Sequence, residues 1–532
     1  MVKKAITVSL LLLVAFGLLK LFLFWEVGPV PGEQVTQIPS TPAGADSVEM
    51  VAGGQYGRGK IGRFFLGGYY RDVWGTPVRV PVLNMNRESS GLTVDKQGGG
   101  QQTTSFTLSD EEGLTYALRS VNKDPLPLLP PFWQNTVAGS FLRDQVSATH
   151  PYGALVVPVL AQAVGVFHVN PRLVYVRAHD AHFAEYAENF GGKLFMLEEK
   201  FSSQSSIRPG LGAAVDIKNT QEMLQKRFRH NSHRIDEQAF ARARLLDLLI
   251  GDWDRHKGQW NWAVYPEGSE TIYRPIPKDR DQVFSYFSSG LLPRIMAKLP
   301  PLRKFTSFRE DFEGIYGLTI NAAFLDERAL PQLTAADFQA IAKGMQASLT
   351  DSVIRRAVRS LPAPVYEKIG LDMEQKLRGR RDKLVEAAQA YYQVLAREVT
   401  VVGSDEGEKF VVRRLNDQET SVEVYRLKGK GEKGELLYAR IFQHQETQQI
   451  TLHGLAGDDE FAVTGSVGEG IPVVIVGGEG EDKITDESEV RGWGKKTVVY
   501  DTSRGNELHF GPETRDKTAS DVRVHAYDRE GF

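Results

Sequence analysis

The chain has 532 residues, a formal net charge of −3 and 41% hydrophobic residues. This length is enough for about three domains, and the near-neutral mixture of charges gives no indication of nucleic-acid binding. The chain has no cysteine, which excludes disulfides, thiolate metal sites, a cysteine nucleophile and lipoprotein acylation.

The chain begins with a basic start followed by an apolar run. The run extends from Ala5 to Trp25 and is interrupted only by Lys20. It can span a bilayer if Lys20 reaches the interface, and no small-x-small cleavage site follows it directly. We expect residues 1–27 to be an uncleaved signal anchor, or alternatively a signal peptide, with the rest exported. Residues 28–54 are rich in Pro, Gly, Ser and Thr, which is typical of an extended linker.

A glycine-rich turn lies between two predicted strands near residue 100. The strands are Leu92 to Val94 and Thr103 to Leu108. Three consecutive glycines occupy the turn: Gly98, Gly99 and Gly100. Such glycines let backbone amides approach a phosphate, and the same pattern also fits a plain hairpin turn. An earlier glycine-rich stretch, Tyr56 to Pro81, fits an ordered lead-in that packs on the domain.

The third predicted strand carries cationic side chains. It covers Thr115 to Val121 and contains Arg119, with Lys123 four residues further on. A helix is predicted after it, and we expect Asp144 or Gln145 on that helix to face the cation.

The stretch from Leu245 to Phe284 combines two acidic clusters. The end of an apolar helix leads into a polar turn, then a strand with two tryptophans, a hairpin and a second acidic group. The turn contains Asp252, Asp254, Arg255 and His256, and the second group contains Asp279 and Asp281. Carboxylates at the ends of adjacent strands suit a divalent cation bound with a phosphate.

These residue types fit phosphoryl transfer. The reaction needs a carboxylate that orients the attacking hydroxyl and oxygen ligands that fix magnesium on the nucleotide phosphates. We expect Asp254 to do the first and Asp281 the second, with Asp279 in the same metal cluster. Gln259, five positions after Asp254, can supply a further oxygen ligand.

Two other residues of the turn leave alternatives open. Arg255 or His256 can brace the turn or meet phosphate charge. A simpler interpretation is that Asp252 and Asp254 cap the turn and pair with Arg255 and Arg280, since structural ion-pair networks are common.

The segments IGDWDRHKGQW and PIPKDRDQVF resemble the catalytic and metal-binding segments of the atypical protein-kinase-like fold. This group includes the secretory-pathway casein kinases, the spore-coat CotH kinases, HipA-type kinases and the phosphoinositide kinases. More closely, the two segments look like an uncharacterised domain of Bacteroidetes envelope proteins. The chain departs from the kinase pattern in having Gln259 where many kinases carry Asn, no Phe-Gly after the metal-binding Asp, and a longer connection between the two segments.

The resemblance implies an α+β, two-lobed domain with an N-lobe at 55–190 and a mainly helical C-lobe at 191–398. It implies ATP with Mg or Mn as cofactor and the three glycines as the phosphate loop. The phosphate contact falls to Arg119 or Lys123. The strand KLFMLEE, which contains Glu198, would enter the hinge where adenine binds, or would simply be core.

A different pattern begins near residue 400. Alternating apolar and polar residues predict a C-terminal all-β domain at 399–515, followed by a loose polar tail at 516–532. The segments GLAGDDEF and GGEGEDKI resemble the glycine-rich turns of parallel β-helix proteins that bind calcium. Candidate calcium ligands are Asp458, Asp459 and Asp482, and stacked Gly-Asp turns without metal are the alternative.

Two functions follow from these interpretations. The first is an exported, membrane-tethered phosphotransferase of the bacterial cell envelope that binds a nucleotide and acts on an unknown acceptor. The second is a non-catalytic envelope protein that keeps a kinase-like scaffold and binds an envelope protein partner.

Overall fold

The computed structural model describes residues 44–98, 103–178, 180–186, 191–428, 431–492 and 494–531, with residues 7, 9–11 and 13–17 near the start. Most of the predicted anchor and part of the predicted linker lie outside these ranges. No described helix combines the length and the apolarity that a bilayer crossing requires.

The N-terminal part is built on a five-stranded antiparallel sheet with short helices around it. The five strands of this sheet are β3 (Leu92–Gly98), β4 (Ser105–Asp110), β5 (Thr115–Ser120), β6 (Arg172–Val176) and β7 (Lys193–Glu199). Two further strands, β1 (Ser47–Met50) and β2 (Val78–Pro81), form a separate two-stranded sheet. The helices of this part are α1 (Lys60–Leu66), α2 (Arg71–Trp74), α3 (Pro131–Gln134), α4 (Val137–Gln145) and α5 (Val157–Ala163). The sheet order is β3-β4-β5-β7-β6, which puts the cationic strand β5 in the centre. Strand β4 buries every second side chain, as one face of a sheet packed on a core requires.

The predicted linker at 28–54 extends too far. Strand β1 pairs antiparallel with β2, so the chain already belongs to the fold at Ser47. Burial of Val48 and Met50 explains the difference, because these two apolar residues alternate with polar neighbours and pack on the core.

The middle part is mainly helical and contains a four-stranded sheet of order β8-β10-β11-β9. The strands are β8 (Asp216–Asn219), β9 (His233–Ile235), β10 (Trp260–Glu267) and β11 (Glu270–Pro277). The helices are α6 (Thr220–Arg229), α7 (Glu237–Ile250), α8 (Leu291–Met296), α9 (Ile315–Thr319), α10 (Ala323–Ala329), α11 (Ala335–Ser348), α12 (Asp351–Val358), α13 (Ala363–Asp382) and α14 (Leu384–Ala396).

Helix α7 is the central element of this part. Its N-terminus is capped by Asp236, which accepts from the backbone N–H of Ala239 at 2.9 Å. It ends at Gly251, whose φ of 66° is left-handed and favours glycine. Ten of its fourteen residues are buried, so helices α11, α13 and α14 pack around it and hold the turn that follows.

The C-terminal part is a parallel β-solenoid. Its strands are β12 (Glu398–Val402), β13 (Glu408–Asn416), β14 (Glu419–Lys428), β15 (Glu432–Gln443), β16 (Gln449–Ala456), β17 (Glu460–Thr464), β18 (Ser466–Val467), β19 (Val473–Glu479), β20 (Lys483–Asp486), β21 (Glu489–Val490), β22 (Thr497–Tyr500), β23 (Glu507–Phe510) and β24 (Thr514–Asp516). Successive coils add parallel strands to two sheets, β12-β16-β19-β22-β24 and β13-β17-β20-β23, with β14 and β15 pairing antiparallel at the edge of the second. Phe410 and Phe461 stack at 4.6 Å between coils, above Ile484 in the next one.

The predicted α+β class, with a two-lobed domain followed by a C-terminal β domain, is confirmed by these elements. The expectation of a loose tail after residue 516 is wrong. Tyr527 packs against the rings of Phe228 and His453, and Arg529 binds both carboxylate oxygens of Asp405 at 2.6 and 3.0 Å. Burial of an aromatic ring and a paired arginine fix this segment.

A buried ion pair ties α2 to α4. Arg71 donates to Asp144 Oδ1 at 3.0 Å and also to the backbone oxygen of Tyr56 at 2.9 Å, and both charged side chains are at most 1% exposed. Gln145 donates to the backbone oxygen of Leu66 at 3.0 Å. The expectation that Asp144 or Gln145 faces the cation of β5 is therefore wrong.

We expect Arg71→Ala to lower the stability by about 1–3 kcal/mol, because it removes two charge-assisted hydrogen bonds of the buried Asp144 carboxylate and leaves Arg58, at 3.2 Å, as its ion-pair partner. The matched control is Arg63→Ala, which breaks the solvent-exposed pair with Asp72 and should cost less than about 1 kcal/mol. Urea unfolding measures both changes. Equal shifts of the two midpoints would show that the buried pair contributes no more to the free energy of unfolding than the exposed pair.

Candidate active site

The loop after α7 is held by Arg255. This fully buried side chain donates to the backbone oxygens of Lys278 at 2.8 Å and Gln259 at 2.9 Å. Its guanidinium lies 4.5 Å from the centre of the Trp260 ring. Because one bond ties Arg255 to the end of its own loop, the other ties the loop to the chain after β11, and the side chain is fully buried, Arg255 braces the turn and does not face a phosphate.

A network of buried charges lies beneath this loop. Asp247 accepts from Arg244 at 2.7 Å and is also paired with Arg280. Asp252 accepts from Arg280 at 3.2 Å and lies 3.7 Å from Arg255. The simpler interpretation, in which Asp252 pairs with Arg255 and Arg280, therefore holds for Asp252, whose carboxylate is part of this network.

Asp254 has a different environment. Its side chain is half-buried, and Oδ1 accepts from Nδ2 of Asn321 at 2.9 Å. Asn321 in turn accepts from Lys304 at 3.3 Å. No Lys, Arg or His among the described residues forms an ion pair with Asp254, so its carboxylate is oriented by an amide and not by a cation. His256 is exposed and caps the turn by accepting from the Gly258 N–H at 3.0 Å.

The two lobes bring opposite charges together at the end of β11. Asp279, with a left-handed φ of 60°, pairs with Arg119, and Asp281 pairs with Lys123. Gln259 donates to Asp279 Oδ2 at 3.3 Å. The carboxylates keep 24% and 30% of their surface exposed, so they line the cleft between the lobes.

Glu198 also faces this cluster. It lies opposite Ala117 in the sheet, and its Oε1 is 3.4 Å from Arg119 Nε. Burial raises the pKa of Glu198 to about 7, against the opposing effect of the Arg119 charge. The carboxylate partner of the strand cation is thus Glu198, a residue predicted at the nucleotide site for a different reason.

The two neighbouring aspartates differ in proton affinity. Burial, together with the charge of Asp279, raises the pKa of Asp281 to about 7. Burial also acts to raise the pKa of Asp279, but the charges of Arg119 and Lys123 hold that pKa well below its ordinary value. Asp279 is therefore the carboxylate that stays ionised at neutral pH, and it is the one that contacts Gln259.

These residues fit a magnesium or manganese ion bound with phosphates. Two carboxylates and a carboxamide supply only oxygen ligands, which these ions prefer, and nucleotide phosphates complete such a shell. In the described ranges no three or more His, Asp or Glu side chains are grouped to hold a metal. The cleft cavity has a volume of about 50 Å³, and small-molecule sites typically have about 300–1,000 Å³, so a nucleotide requires the lobes to open.

The remaining predicted residues are placed as follows. Gly98 ends β3 opposite Ser105, and Gly99 and Gly100 lie outside the described residues. The sequence analysis missed Asn321, which belongs to no recognisable motif. It also missed Asp247, although an aspartate inside the apolar run LLDLLI was a usable signal of a buried ion pair.

The candidate calcium residues form part of a ladder along the solenoid. Asp459 Oδ1 accepts from the backbone N–H of Glu408 at 2.7 Å, and Asp482 Oδ1 accepts from that of Asp459 at 2.9 Å. Asn506 continues the column by accepting from the N–H of Asp482 at 2.7 Å. Asp458 accepts from a backbone N–H of the next coil. Stacked polar turns account for these contacts, and calcium at this place stays a prediction.

No protein-family model matches the chain, and no curated protein matches it. Among solved structures it is similar to the Helicobacter pylori proinflammatory kinase CtkA, with 14% identity, 57% of this chain and 96% of that chain covered, and a TM-score of 0.27. It is also similar to HipA of the Shewanella oneidensis MR-1 toxin-antitoxin system, with 12% identity, 59% and 77% covered, and a TM-score of 0.28. A third similar structure is the Golgi casein kinase with Mn and ADP bound, with 9% identity, 56% of this chain and 73% of that chain covered, and a TM-score of 0.26. Similarity at these levels says nothing about activity, so an activity can be inferred only from the residues of the site.

A substitution in the ladder separates proton binding from calcium binding. Burial and the nearby charge of Asp501 raise the pKa of Asp482 to about 7, so the folded state binds its proton more tightly than the unfolded state, whose carboxyl has a pKa of about 3.9. The stability that protonated Asp482 contributes to the solenoid should therefore be lost as the pH rises from about 4 to about 7. We expect Asp482→Asn to be more stable than the parent above pH 7, with the difference shrinking toward pH 4, in thermal unfolding with EDTA present.

The same experiment with added calcium tests the other interpretation. A rise in the unfolding midpoint of the parent protein, absent from Asp482→Asn, would assign a cation to the ladder.

Proposed function

We propose that the protein is a phosphotransferase that uses a nucleoside triphosphate with Mg or Mn. The observation that carries the proposal is the pairing of Asp279 and Asp281 of one lobe with Arg119 and Lys123 of the other. These are the charges that a metal–nucleotide complex needs, with anions for the metal and cations for the phosphates. They meet in the cleft between the lobes, where the complex would separate the pairs and take up both sets.

Each residue then has one task. Asp279 and Asp281 hold the metal, with Gln259 as a further oxygen ligand, and the ion when bound neutralises charge on the phosphates. Arg119 and Lys123 bind the phosphates.

Glu198 keeps the Arg119 guanidinium oriented toward the cleft. Asp254 orients the acceptor hydroxyl and accepts its proton, and Asn321 holds the Asp254 carboxylate in place.

The location is part of the same proposal. We infer that the apolar segment Ala5 to Trp25 tethers the protein to a membrane of the bacterial envelope and that the bulk is exported. A basic start and an apolar run of this length support that inference. The acceptor, and any envelope partner of the solenoid, are open.

One observation favours the alternative of a non-catalytic scaffold. The cleft is closed by two ion pairs, and its cavity of about 50 Å³ is too small for a nucleotide. A protein that keeps the lobes closed would not bind a nucleotide, and its kinase-like domain would serve only as a scaffold that binds a partner together with the solenoid.

Calorimetric titration of the full chain with ATP, with and without Mn²⁺, separates the two functions. We expect Mn²⁺-dependent binding that Asp279→Asn weakens by at least about tenfold, because the metal loses its ionised ligand. Asp521→Asn, on an exposed side chain of the C-terminal segment, is the matched control and should bind as the parent does. If folded protein releases or absorbs no heat in any of these titrations, the phosphotransferase is excluded and the non-catalytic scaffold remains.

The Asp254→Asn variant tests the chemical step. It should bind ATP with Mn²⁺ as the parent does and lower the turnover of ATP by about 10²–10⁴-fold, since a positioned general base contributes that much. Unchanged turnover in this variant would remove Asp254 from the reaction.

A further inference from the structure

Three segments that flank the N-lobe expose large apolar side chains. They are helix α1, the loop and short helix within 125–136, and the segment 291–304 that begins with α8. The exposed side chains are Ile61 and Phe64, then Leu128, Phe132 and Trp133, then Leu291, Ile295, Met296 and Leu299. Phe132 is 76% exposed and Phe64 62% exposed, and clustered exposed apolar side chains mark interaction surfaces.

The three segments border one small core. Leu66 of α1 packs with Phe141 of α4 and Leu292 of α8, and α3 packs on α4. The backbones of α1 and α8 meet so closely that a Cβ at Gly290 would lie 2.2 Å from the Gly67 nitrogen. The exposed side chains therefore belong to one region, which we name the apolar-basic face.

The charge on this face has one sign. Residues 60–66, 125–136 and 291–304 contain no Asp or Glu. The segments contain six cations, and four of them stand exposed among the apolar side chains: Lys60, Arg294, Lys298 and Arg303. All four are exposed, and none has an ion-pair partner among the described residues. By contrast, the nearby Arg63 is neutralised by Asp72.

Exposed aromatic side chains beside unpaired cations are typical of protein surfaces that bind the headgroup region of a bilayer. At the interface of a bilayer, Trp and Phe enter the headgroup region while Lys and Arg bind anionic headgroups. The loop 125–136 carries Phe132 and Trp133 on an uncharged, proline-rich stretch, so it can enter that region without burying a charge. We propose that the apolar-basic face docks on an anionic lipid bilayer.

This proposal does not depend on catalysis. It concerns a surface whose three segments contain none of the residues assigned to the reaction. It is also independent of the N-terminal apolar segment, because that segment would enter neutral and anionic bilayers alike.

The test follows the fluorescence of Trp133 in the full chain. The protein is reconstituted into vesicles of phosphatidylcholine alone, or of phosphatidylcholine with an equal amount of phosphatidylglycerol, both with brominated acyl chains that quench tryptophan on contact. The Trp133 signal is the difference between the parent and Trp133→Phe. We expect strong quenching in anionic vesicles and severalfold less in neutral ones.

Charge reversal on the face provides the decisive comparison. Lys298→Glu with Arg303→Glu should reduce the quenching in anionic vesicles severalfold, because the headgroups then repel the segment. The matched control is Leu415→Ser with Ile441→Ser, which changes exposed apolar side chains of the solenoid and should leave the quenching unchanged.

Four results would overturn the proposal. Trp133 could remain unquenched in anionic vesicles, or its quenching could be the same in neutral vesicles or after charge reversal. Protection of Trp133 from aqueous acrylamide in lipid-free protein would assign the face instead to another segment of the chain or, if protection rises with protein concentration, to a second copy.

Discussion

The buried ion network beneath the loop after α7 fixes the geometry of the candidate site. Its members are Arg244, Arg255 and Arg280 with Asp247, Asp252 and Asp326, and none is more than 7% exposed. Three positive and three negative charges cancel, so each side chain is tolerable in the interior only while its partners stay in place. Because the network joins α7, the loop and the chain after β11, the elements that present Asp254, Gln259 and Asp279 form one rigid unit.

The charge pairs across the cleft are of another kind. Arg119 and Asp279, like Lys123 and Asp281, keep 14–30% of their side-chain surface in water, whereas the members of the network are at most 7% exposed. The C-lobe side of the site is therefore fixed, whereas the contact between the lobes is the one that a ligand bringing its own charges can exchange at a lower cost. This difference reconciles a closed cleft with a site for a large anionic ligand.

The parts of the fold and the site that could be predicted are those encoded within short stretches. Asp254 and the Asp279–Asp281 cluster stand in one continuous segment, and strand alternation and glycine turns revealed the sheet and the solenoid. The partners of Asp144, Arg119 and Asp254 could not be predicted, because Arg71, Glu198 and Asn321 lie 73, 79 and 67 residues away in the sequence. Local periodicity contains no information about which buried charges pair across such distances.

The solenoid is attached to the lobe that carries this rigid unit. Arg227 donates to the backbone oxygens of Val402 and Gly403 at 3.0 Å each, and Asn231 donates to Glu408 at 2.9 Å. The C-terminal segment extends the connection to the loop itself, because Lys257 donates to the backbone oxygen of Gly531 at 2.7 Å. In the described part of the chain, the solenoid and the C-terminal segment therefore contact the lobe that presents Asp254, Gln259 and Asp279, and not the cations of the opposite lobe. Hence a partner bound to the β domain would act on the side of the site that the buried network already fixes.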